Sequence, residues 1–143
     1  MNSACEPSRF VIDFTGMTEK EARNFPLAWK ILEDRVKDPR QAAPEKRMRE
    51  VWWQFQRQRV DLYEALGKLG IAWVIAATSD TVAFVGLPFS ASSPFVLSHA
   101  VNVLTLTSIG EFGVLQSSIH LAWARLYGSS MKQDFRYTTT DCL

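Results

Sequence analysis

A stretch of 41 residues, Leu69 to Ile109, contains no lysine or arginine and only one acid. So little charge indicates that this stretch supplies much of the interior of the fold. Its segments 71–78 (IAWVIAAT) and 81–87 (TVAFVGL) are rich in β-branched and aromatic residues, which favours strands. The polar pair Ser79-Asp80 between them predicts a tight hairpin. Residues 95–108 predict one or two further strands, and the sheet is expected to be mainly antiparallel.

Helical patterns precede this stretch. Thr18 and Glu21 have the spacing of a capping box. Residues 26–37 (PLAWKILEDRVK) begin with a proline, which suits a first helical turn. From about Glu45 to Leu66, apolar residues recur at steps of three and four, which predicts one amphipathic helix. The alternating residues 9–14 (RFVIDF) predict a strand at the start of the chain.

One more helix is expected after the apolar stretch, capped by Ser108 and ended by Gly128. Its predicted core-facing residues recur at helical spacing: Phe112, Leu115, Ile119, Ala122, Trp123 and Leu126. The fold class is therefore α+β, a single domain in which a mainly antiparallel sheet of about four to five strands packs against three to four helices. Residues 9–143 are expected to form this domain, after a disordered tail of residues 1–8.

The sequence predicts neither secretion nor a membrane span. The N-terminus lacks a charged region followed by an apolar core, so it is not a secretory signal. The longest apolar region, Leu69 to Leu87, is interrupted by two glycines and one acid. Cys5 and Cys142 have neither zinc-ligand spacing nor the pattern of a disulfide framework. A cytoplasmic chain is expected.

The net charge of +1 conceals a basic region. Between Arg35 and Arg59 there are eight basic residues against three acids, a local charge of +5, and the rest of the chain sums to −4. Such a region suits the phosphates of a nucleic acid. A solvated helix face has the same pattern, so both interpretations are open for Arg47, Arg49 and Arg57.

Two kinds of residue allow both a structural and a nucleic-acid-binding interpretation. Arg59 falls in the apolar row between Phe55 and Leu62, where a fixed charge needs a partner, so a buried ion pair and a DNA contact are equally open. The tryptophans have the spacing of core residues, and we expect burial rather than base stacking for Trp52, Trp53, Trp73 and Trp123.

The sequence carries no recognisable catalytic motif. It has neither the glycine-rich turn that holds a methyltransferase cofactor nor the Asn-Pro-Pro-aromatic loop that grips a flipped base. Its acids are scattered, which disfavours a nuclease metal site. A hydrolase triad drawn from Ser117, His120 and Asp134 is the weakest alternative, because geometry and not composition defines a triad.

Several long motifs carry a family resemblance. Residues 112–142 (FGVLQSSIHLAWARLYGSSMKQDFRYTTTDC) resemble a motif near the end of target-recognition domains in type IIL (MmeI-like) restriction-modification enzymes and related adenine methyltransferases. Residues 9–22 (RFVIDFTGMTEKEA), a Glu-Asp-Arg-Val-Lys stretch with an arginine-containing linker, and residues 51–66 (VWWQFQRQRVDLYEAL) resemble upstream patterns of that family in the same order. The resemblance covers about Arg9 to Cys142.

The resemblance implies a noncatalytic module that reads double-stranded DNA for an attached catalytic domain. In the family, a methyltransferase domain, sometimes preceded by a nuclease, comes before this region. The parent protein is therefore expected to methylate adenine in DNA with S-adenosylmethionine, and whether it also cleaves is left open. This chain is expected to be a fragment with no cofactor of its own. The alternative is a scaffold that docks the methyltransferase domain while DNA is read elsewhere; a stand-alone hydrolase is less expected.

The expected DNA contacts lie mainly after the last helix. Small hydroxyls and cations on extended chain suit a phosphate backbone there, at Ser129, Ser130, Lys132, Arg136 and Tyr137. The basic region contributes secondary contacts through Arg47, Arg49, Arg57 and Arg59. Loops at Ser79-Asp80 and residues 89–93 are candidate base readers. His120, in the middle of a helix, is either a structural histidine or a DNA contact.

Overall fold

The structure, a computed structural model, describes residues 9–90, 95–131 and 134–143. The tail expected at residues 1–8 lies outside them. The chain divides into two units, Ser8–Arg59 and Val60–Leu143, which we call the N-terminal and the C-terminal unit. Each unit has a hydrophobic core of its own residues.

The N-terminal unit consists of short helices. In chain order they are α1 (Glu19–Ala22), α2 (Pro26–Leu32), a π-helical turn (Glu33–Lys37), α3 (Asp38–Gln41) and α4 (Lys46–Glu50). The predicted capping box begins α1: the Thr18 hydroxyl accepts from the Glu21 N–H, and the Glu21 carboxylate accepts from the Thr18 N–H. Pro26 lies in the first turn of α2, which confirms that prediction too.

Three tryptophans form the centre of this unit. Trp29 and Trp52 are buried, and their ring centroids lie 4.9 Å apart. Half-buried Trp53 is 6.1 Å from each of them, and Phe14 belongs to the same cluster. The prediction that Trp52 and Trp53 are core residues is therefore confirmed.

The strand predicted at residues 9–14 does not form. A strand needs a partner for its backbone N–H and C=O groups, and the described part of the N-terminal unit contains no strand. Phe14 instead packs into the helical core, and its carbonyl accepts from the Met17 N–H at 3.0 Å. Of the alternating apolar residues, Ile12 and Phe14 pack in the helical core, whereas Phe10 is exposed.

The helix predicted from Glu45 to Leu66 is interrupted. After α4, residues 51–59 are not helical, and α5 (Val60–Leu69) begins beyond them. Trp52 and Trp53 lie in the turn that follows α4 and pack against Trp29. Arg59 has a φ of 51°, in the left-handed region, which a right-handed helix cannot continue through.

In the C-terminal unit, the uncharged stretch forms the predicted antiparallel sheet. Its strands β1 (Ile71–Ala76), β2 (Phe84–Pro88) and β3 (Val101–Leu104) lie in the order β2-β1-β3. The connection between β1 and β2 is longer than the predicted tight turn at Ser79-Asp80. Its backbone pairs elsewhere, because the Ser79 N–H donates to the Phe135 carbonyl at 3.0 Å.

Two helices stand where one was predicted, α6 (Ile109–Leu115) and α7 (Ser118–Tyr127). Ser108 caps α6 as predicted, in a capping box with Glu111. Ser117 then caps α7, since its hydroxyl accepts from the His120 N–H. Three short elements follow: β4 (Ser129–Met131), β5 (Asp134–Arg136) and α8 (Thr139–Cys142), with β4 antiparallel to β5.

The buried face of α7 differs from the predicted one. His120 and Ala124 are buried, whereas Ile119, Trp123 and Leu126 are 81%, 50% and 74% exposed. A histidine is buried at this position because Tyr137 offers its imidazole a hydrogen-bond partner inside the core. The expectation that Trp123 is a core residue is therefore wrong.

These elements confirm the α+β class with antiparallel pairing, in the form of a three-stranded sheet, a two-stranded hairpin and several short helices. No helix in the described ranges combines the length and the apolar character needed to cross a membrane.

Candidate nucleic-acid interface

Charge is distributed unequally between the two units. The N-terminal unit, Ser8–Arg59, contains twelve Lys and Arg against eight Asp and Glu, a formal charge of +4. Residues 60–143 contain four Lys and Arg against six acids, a formal charge of −2. Attraction to phosphates over the surface therefore favours the N-terminal unit.

Two arginines of this unit fix the backbone around α4. Arg40 donates from Nη1 to the carbonyl oxygen of Gln54 at 2.7 Å. Arg49 donates from Nη1 to the carbonyl oxygens of Ala43 and Pro44, at 2.8 and 2.6 Å. Arg49, predicted as a DNA contact, therefore also has a structural role. Arg40 belongs to the basic region, but the sequence did not indicate its hydrogen bond to Gln54, because the two residues are fourteen positions apart.

Arg47, Arg57 and Arg59 are exposed. Ion pairs in the described part of the unit involve other cations: Arg23 with Glu19, Lys37 with Glu33 and Lys46 with Glu50. The buried ion pair considered for Arg59 is therefore wrong, because its side chain lies in solvent beside a non-helical segment. All three guanidinium groups are available for an external anion.

A second polar surface lies on the β4–β5 hairpin. Ser129 stands opposite Arg136 in the antiparallel ladder, and Ser130 stands opposite Phe135. Arg136 also forms a β-bridge with Thr78. The structure thus brings the connection around Ser79 beside β5, although the sequence places them more than fifty residues apart.

We define the hairpin surface by four predicted site residues, Ser79, Ser129, Ser130 and Arg136. Ser129, Ser130 and Arg136 are exposed, and Ser79 is half-buried. This surface carries hydroxyls and one guanidinium, and the exposed carboxylates of Asp80 and Asp134 adjoin it in the sequence. Such a mixture suits hydrogen bonds to base edges better than binding to phosphates alone.

Two of the predicted contacts fall partly or wholly outside the described residues. Lys132 is one of them. The other is the candidate loop at residues 89–93, of which Phe89 and Ser90 are described. Phe89 is buried, at 6% exposure, and packs in the core with Leu66 and Val74. The Phe89 side chain is therefore a core residue and not a base reader.

Tyr137 and His120 face the interior and not the surface. Tyr137 is 2% exposed and His120 9%, and the Tyr137 hydroxyl lies 3.0 Å from His120 Nε2. Burial lowers the pKa of His120, which favours the neutral imidazole. Burial, and secondarily the nearby Cys142 thiol, raises the pKa of Tyr137 to about 12. Neither side chain is available for a direct DNA contact in this conformation.

The hydrolase triad does not assemble. The Ser117 hydroxyl donates to the Val114 carbonyl at 2.7 Å and caps α7, while the His120 imidazole pairs with Tyr137. Asp134 is an exposed residue of β5. In the described ranges, no group of three or more His, Cys, Asp and Glu side chains is arranged to hold a metal ion.

An exposed apolar face lies on α6 and α7. Ile119, Trp123, Leu126 and Val114 are each at least half exposed, and the Trp123 and Tyr127 rings contact each other with centroids 4.2 Å apart. An open groove of about 750 Å³ runs along this face. The sequence pattern assigned Ile119, Trp123 and Leu126 to the core, so this surface was missed.

Comparison with known proteins assigns the family. Residues 5–142 match a family model described as MmeI, target recognition domain. Searches of curated proteins and of solved structures gave no significant match. The family match covers nearly all of the chain. The chain therefore belongs to the target recognition domain family of MmeI-type restriction-modification enzymes, whose function is DNA sequence recognition.

Proposed function

We propose that this chain is a noncatalytic module that positions duplex DNA for adenine methylation by a separate catalytic domain. That domain, and not this chain, binds S-adenosylmethionine. Family membership supports the DNA-reading role. The methylation chemistry follows from the resemblance to adenine methyltransferases and is part of the proposal.

The observation that carries the proposal is that three arginines of the N-terminal unit have guanidinium groups that are free within the described ranges. Arg47, Arg57 and Arg59 are exposed without a carboxylate partner among the described residues. The hydrogen bonds of Arg40 and Arg49 hold the segment around them in place. Guanidinium groups on a fixed backbone lose less freedom when they bind phosphate oxygens. We assign phosphate contact to these three arginines.

We assign contact with the base edges of the DNA to the hairpin surface. Arginine pairs with guanine, carboxylates accept from cytosine, and serine hydroxyls serve either role. Ser129, Ser130 and Arg136 present such groups in solvent, next to the Ser79-Asp80 connection. The backbone pairing of β4 with β5 gives these groups defined positions.

The salt dependence of DNA binding tests the proposal. The 143-residue chain is titrated into a fluorescein-labelled duplex of mixed sequence at several salt concentrations. Each phosphate contact contributes a slope of about −0.9 to the plot of log K against log salt. The triple variant Arg47→Gln/Arg57→Gln/Arg59→Gln should therefore reduce the slope by about 2.7.

A matched triple variant controls for net charge. Arg23→Gln/Lys37→Gln/Lys46→Gln removes the same charge from the same unit, but these three cations are already paired with glutamates. It should change the slope much less. Equal slopes for the two triple variants contradict the arginine assignment, and binding without any salt dependence contradicts the proposed function.

A second candidate function is docking of the methyltransferase domain through the apolar face of α6 and α7. The exposure of Ile119, Trp123 and Leu126 supports it, since a cluster of exposed apolar side chains marks contact surfaces. An MmeI-type methyltransferase domain added to the chain should co-elute with it. The variant Trp123→Ser/Leu126→Ser should abolish co-elution while leaving the salt slope for DNA unchanged. Retained co-elution in that variant contradicts the docking role.

A further inference from the structure

Tyr137 joins several parts of the C-terminal unit through its hydrogen bonds. Its hydroxyl lies 3.0 Å from His120 Nε2 on α7. Its N–H donates to the Ala77 carbonyl at 3.0 Å, and its carbonyl accepts from Asn102 Nδ2 at 2.7 Å. Tyr137, the residue that follows β5, is therefore hydrogen-bonded to α7, to β3 and to the connection that follows β1.

The preceding residue, Arg136, belongs to the hairpin surface. Arg136 is exposed and Tyr137 is 2% exposed, as expected where side chains alternate along an extended segment. Because the two residues share a peptide bond, the anchored backbone of Tyr137 fixes the direction in which Arg136 leaves the sheet. Ser129, directly opposite Arg136 in the ladder, is fixed with it.

The hydroxyl of Tyr137 is not required for filling the core. The ring packs with Phe84, at a centroid distance of 5.5 Å, and with Ile75 and Leu104 in the same cluster. A phenylalanine ring would make the same contacts. A buried hydroxyl is costly unless it is hydrogen-bonded, and a hydrogen bond adds direction that apolar packing lacks. The hydrogen bond between Tyr137 and His120 therefore orients the Tyr137 side chain in the core.

We infer that Tyr137 is a positioning residue that holds the hairpin surface in the orientation in which this surface meets DNA. The inference rests on the proposed function of the hairpin. It differs from a DNA-contacting role for Tyr137, because the side chain points into the core. Its partner His120 acts in the same way, through Tyr137 and not through DNA.

Hydrogen exchange tests the attachment without DNA. The amides of Ser79 and Tyr137 donate across the junction between the β1–β2 connection and β5, so they report on this junction. In Tyr137→Phe these two amides should exchange about tenfold faster, which corresponds to about 1.4 kcal/mol of local stability. The amides of the β1–β2 ladder should keep their rates. An equal acceleration at both places, or none, overturns the inference.

Tyr63→Phe is the matched control. The Tyr63 hydroxyl accepts from the Leu97 N–H at 3.1 Å in the same unit, but Tyr63 packs against a different core cluster. The same atom is removed, yet the exchange rates of Ser79 and Tyr137 should stay unchanged. A faster rate in this control counts against a specific role for Tyr137.

Variants of His120 provide a second, independent test. His120→Gln keeps an amide near the position of Nε2 and should keep slow exchange at the junction, whereas His120→Leu should resemble Tyr137→Phe. If His120→Leu and His120→Gln give the same exchange rates at the junction, the hydrogen bond does not position the hairpin, and the inference is wrong.

A double-mutant cycle connects the attachment to DNA. Arg136→Ala should weaken binding of the labelled duplex in the wild-type and Tyr63→Phe backgrounds, and much less in Tyr137→Phe, because Arg136 is already misplaced there. Equal losses in all three backgrounds overturn the positioning role. If Arg136→Ala has no effect in wild type, the hairpin does not contact DNA; the proposed function of this surface then fails even where the exchange experiment supports the attachment by Tyr137.

Discussion

The ring of Phe135 occupies the space that a side chain at Gly128 would need. A Cβ at position 128 would overlap this ring and the carbonyl oxygen of Ala124. The backbone of Gly128 itself is ordinary extended chain, with φ −69° and ψ 158°. The requirement for glycine is therefore steric, and it lets the chain pass directly from α7 into β4.

Gly128→Ala should destabilise the C-terminal unit by about 1–3 kcal/mol, the usual cost of an overpacked site. Urea unfolding measures the change. Gly67→Ala is the control, because a Cβ at position 67 of α5 meets nothing within 4 Å. It should stabilise α5 by up to about 1 kcal/mol, since alanine is the better helix former. Equal effects of the two variants contradict the steric explanation.

Arg59→Gly separates the backbone conformation of residue 59 from its charge. Arg59 has a φ of 51°, which glycine adopts without strain. Stability should stay within about 1 kcal/mol of wild type, or rise, because relief of strain offsets the greater freedom of the unfolded chain. DNA binding should nevertheless weaken, and the salt slope should fall by about 0.9.

The companion variant Arg57→Gly removes the same charge at a position without a positive φ. It should reduce the slope equally but also lower the stability. A loss of more than about 1 kcal/mol in Arg59→Gly, measured by thermal unfolding, contradicts the strain assigned to residue 59.

Short-range sequence patterns correctly predicted the local structure that depends on them alone. The capping box at Thr18 and the cap at Ser108 form as predicted, because each depends on residues within one helical turn. The uncharged stretch became the sheet, since only a buried element tolerates so little charge. Register and partners were not predictable. The Ser79 N–H bonds to the Phe135 carbonyl, and nothing local indicates that contact.

Periodicity was less reliable for helix faces and helix lengths. The rows through Trp52 and through Trp123 have the same spacing, yet Trp52 is 5% exposed and Trp123 50%. Which face is buried depends on what packs against it, and on α7 this is the segment with Tyr137 and Cys142. For the candidate site, the sequence predicted the types of residue and the approximate segments that contain them. It did not indicate that the side chain of Tyr137 points into the core while that of Arg136 points into solvent.

Stability should fall as the pH drops below about 6.5, the ordinary pKa of histidine. Burial lowers the pKa of His120 in the folded chain, so the unfolded chain takes up the proton first. Protonation then favours unfolding, and the loss levels off once the pH is below the folded pKa. Urea unfolding between pH 7 and pH 5 measures this effect.

His120→Gln should flatten the pH dependence of stability in that window. The carboxylates of Glu21 and Glu111 contribute at lower pH. Hydrogen bonds from backbone N–H groups, of Thr18 in one case and of Thr107 and Ser108 in the other, lower their pKa below 4.5. A slope that persists between pH 7 and pH 5 in His120→Gln assigns the effect to other groups.

The two tryptophans should differ sharply in what their loss costs. Trp52→Ala removes a buried ring that contacts Trp29 and Trp53, and should cost about 3–5 kcal/mol in the N-terminal unit. Trp123→Ala removes a half-exposed ring and should cost less than about 1 kcal/mol. Thermal unfolding of both variants measures the difference, and near-ultraviolet circular dichroism checks that each retains its fold. A cost for Trp123→Ala near that of Trp52→Ala contradicts the placement of the Trp123 side chain at the surface, and with it the exposed apolar face of α6 and α7.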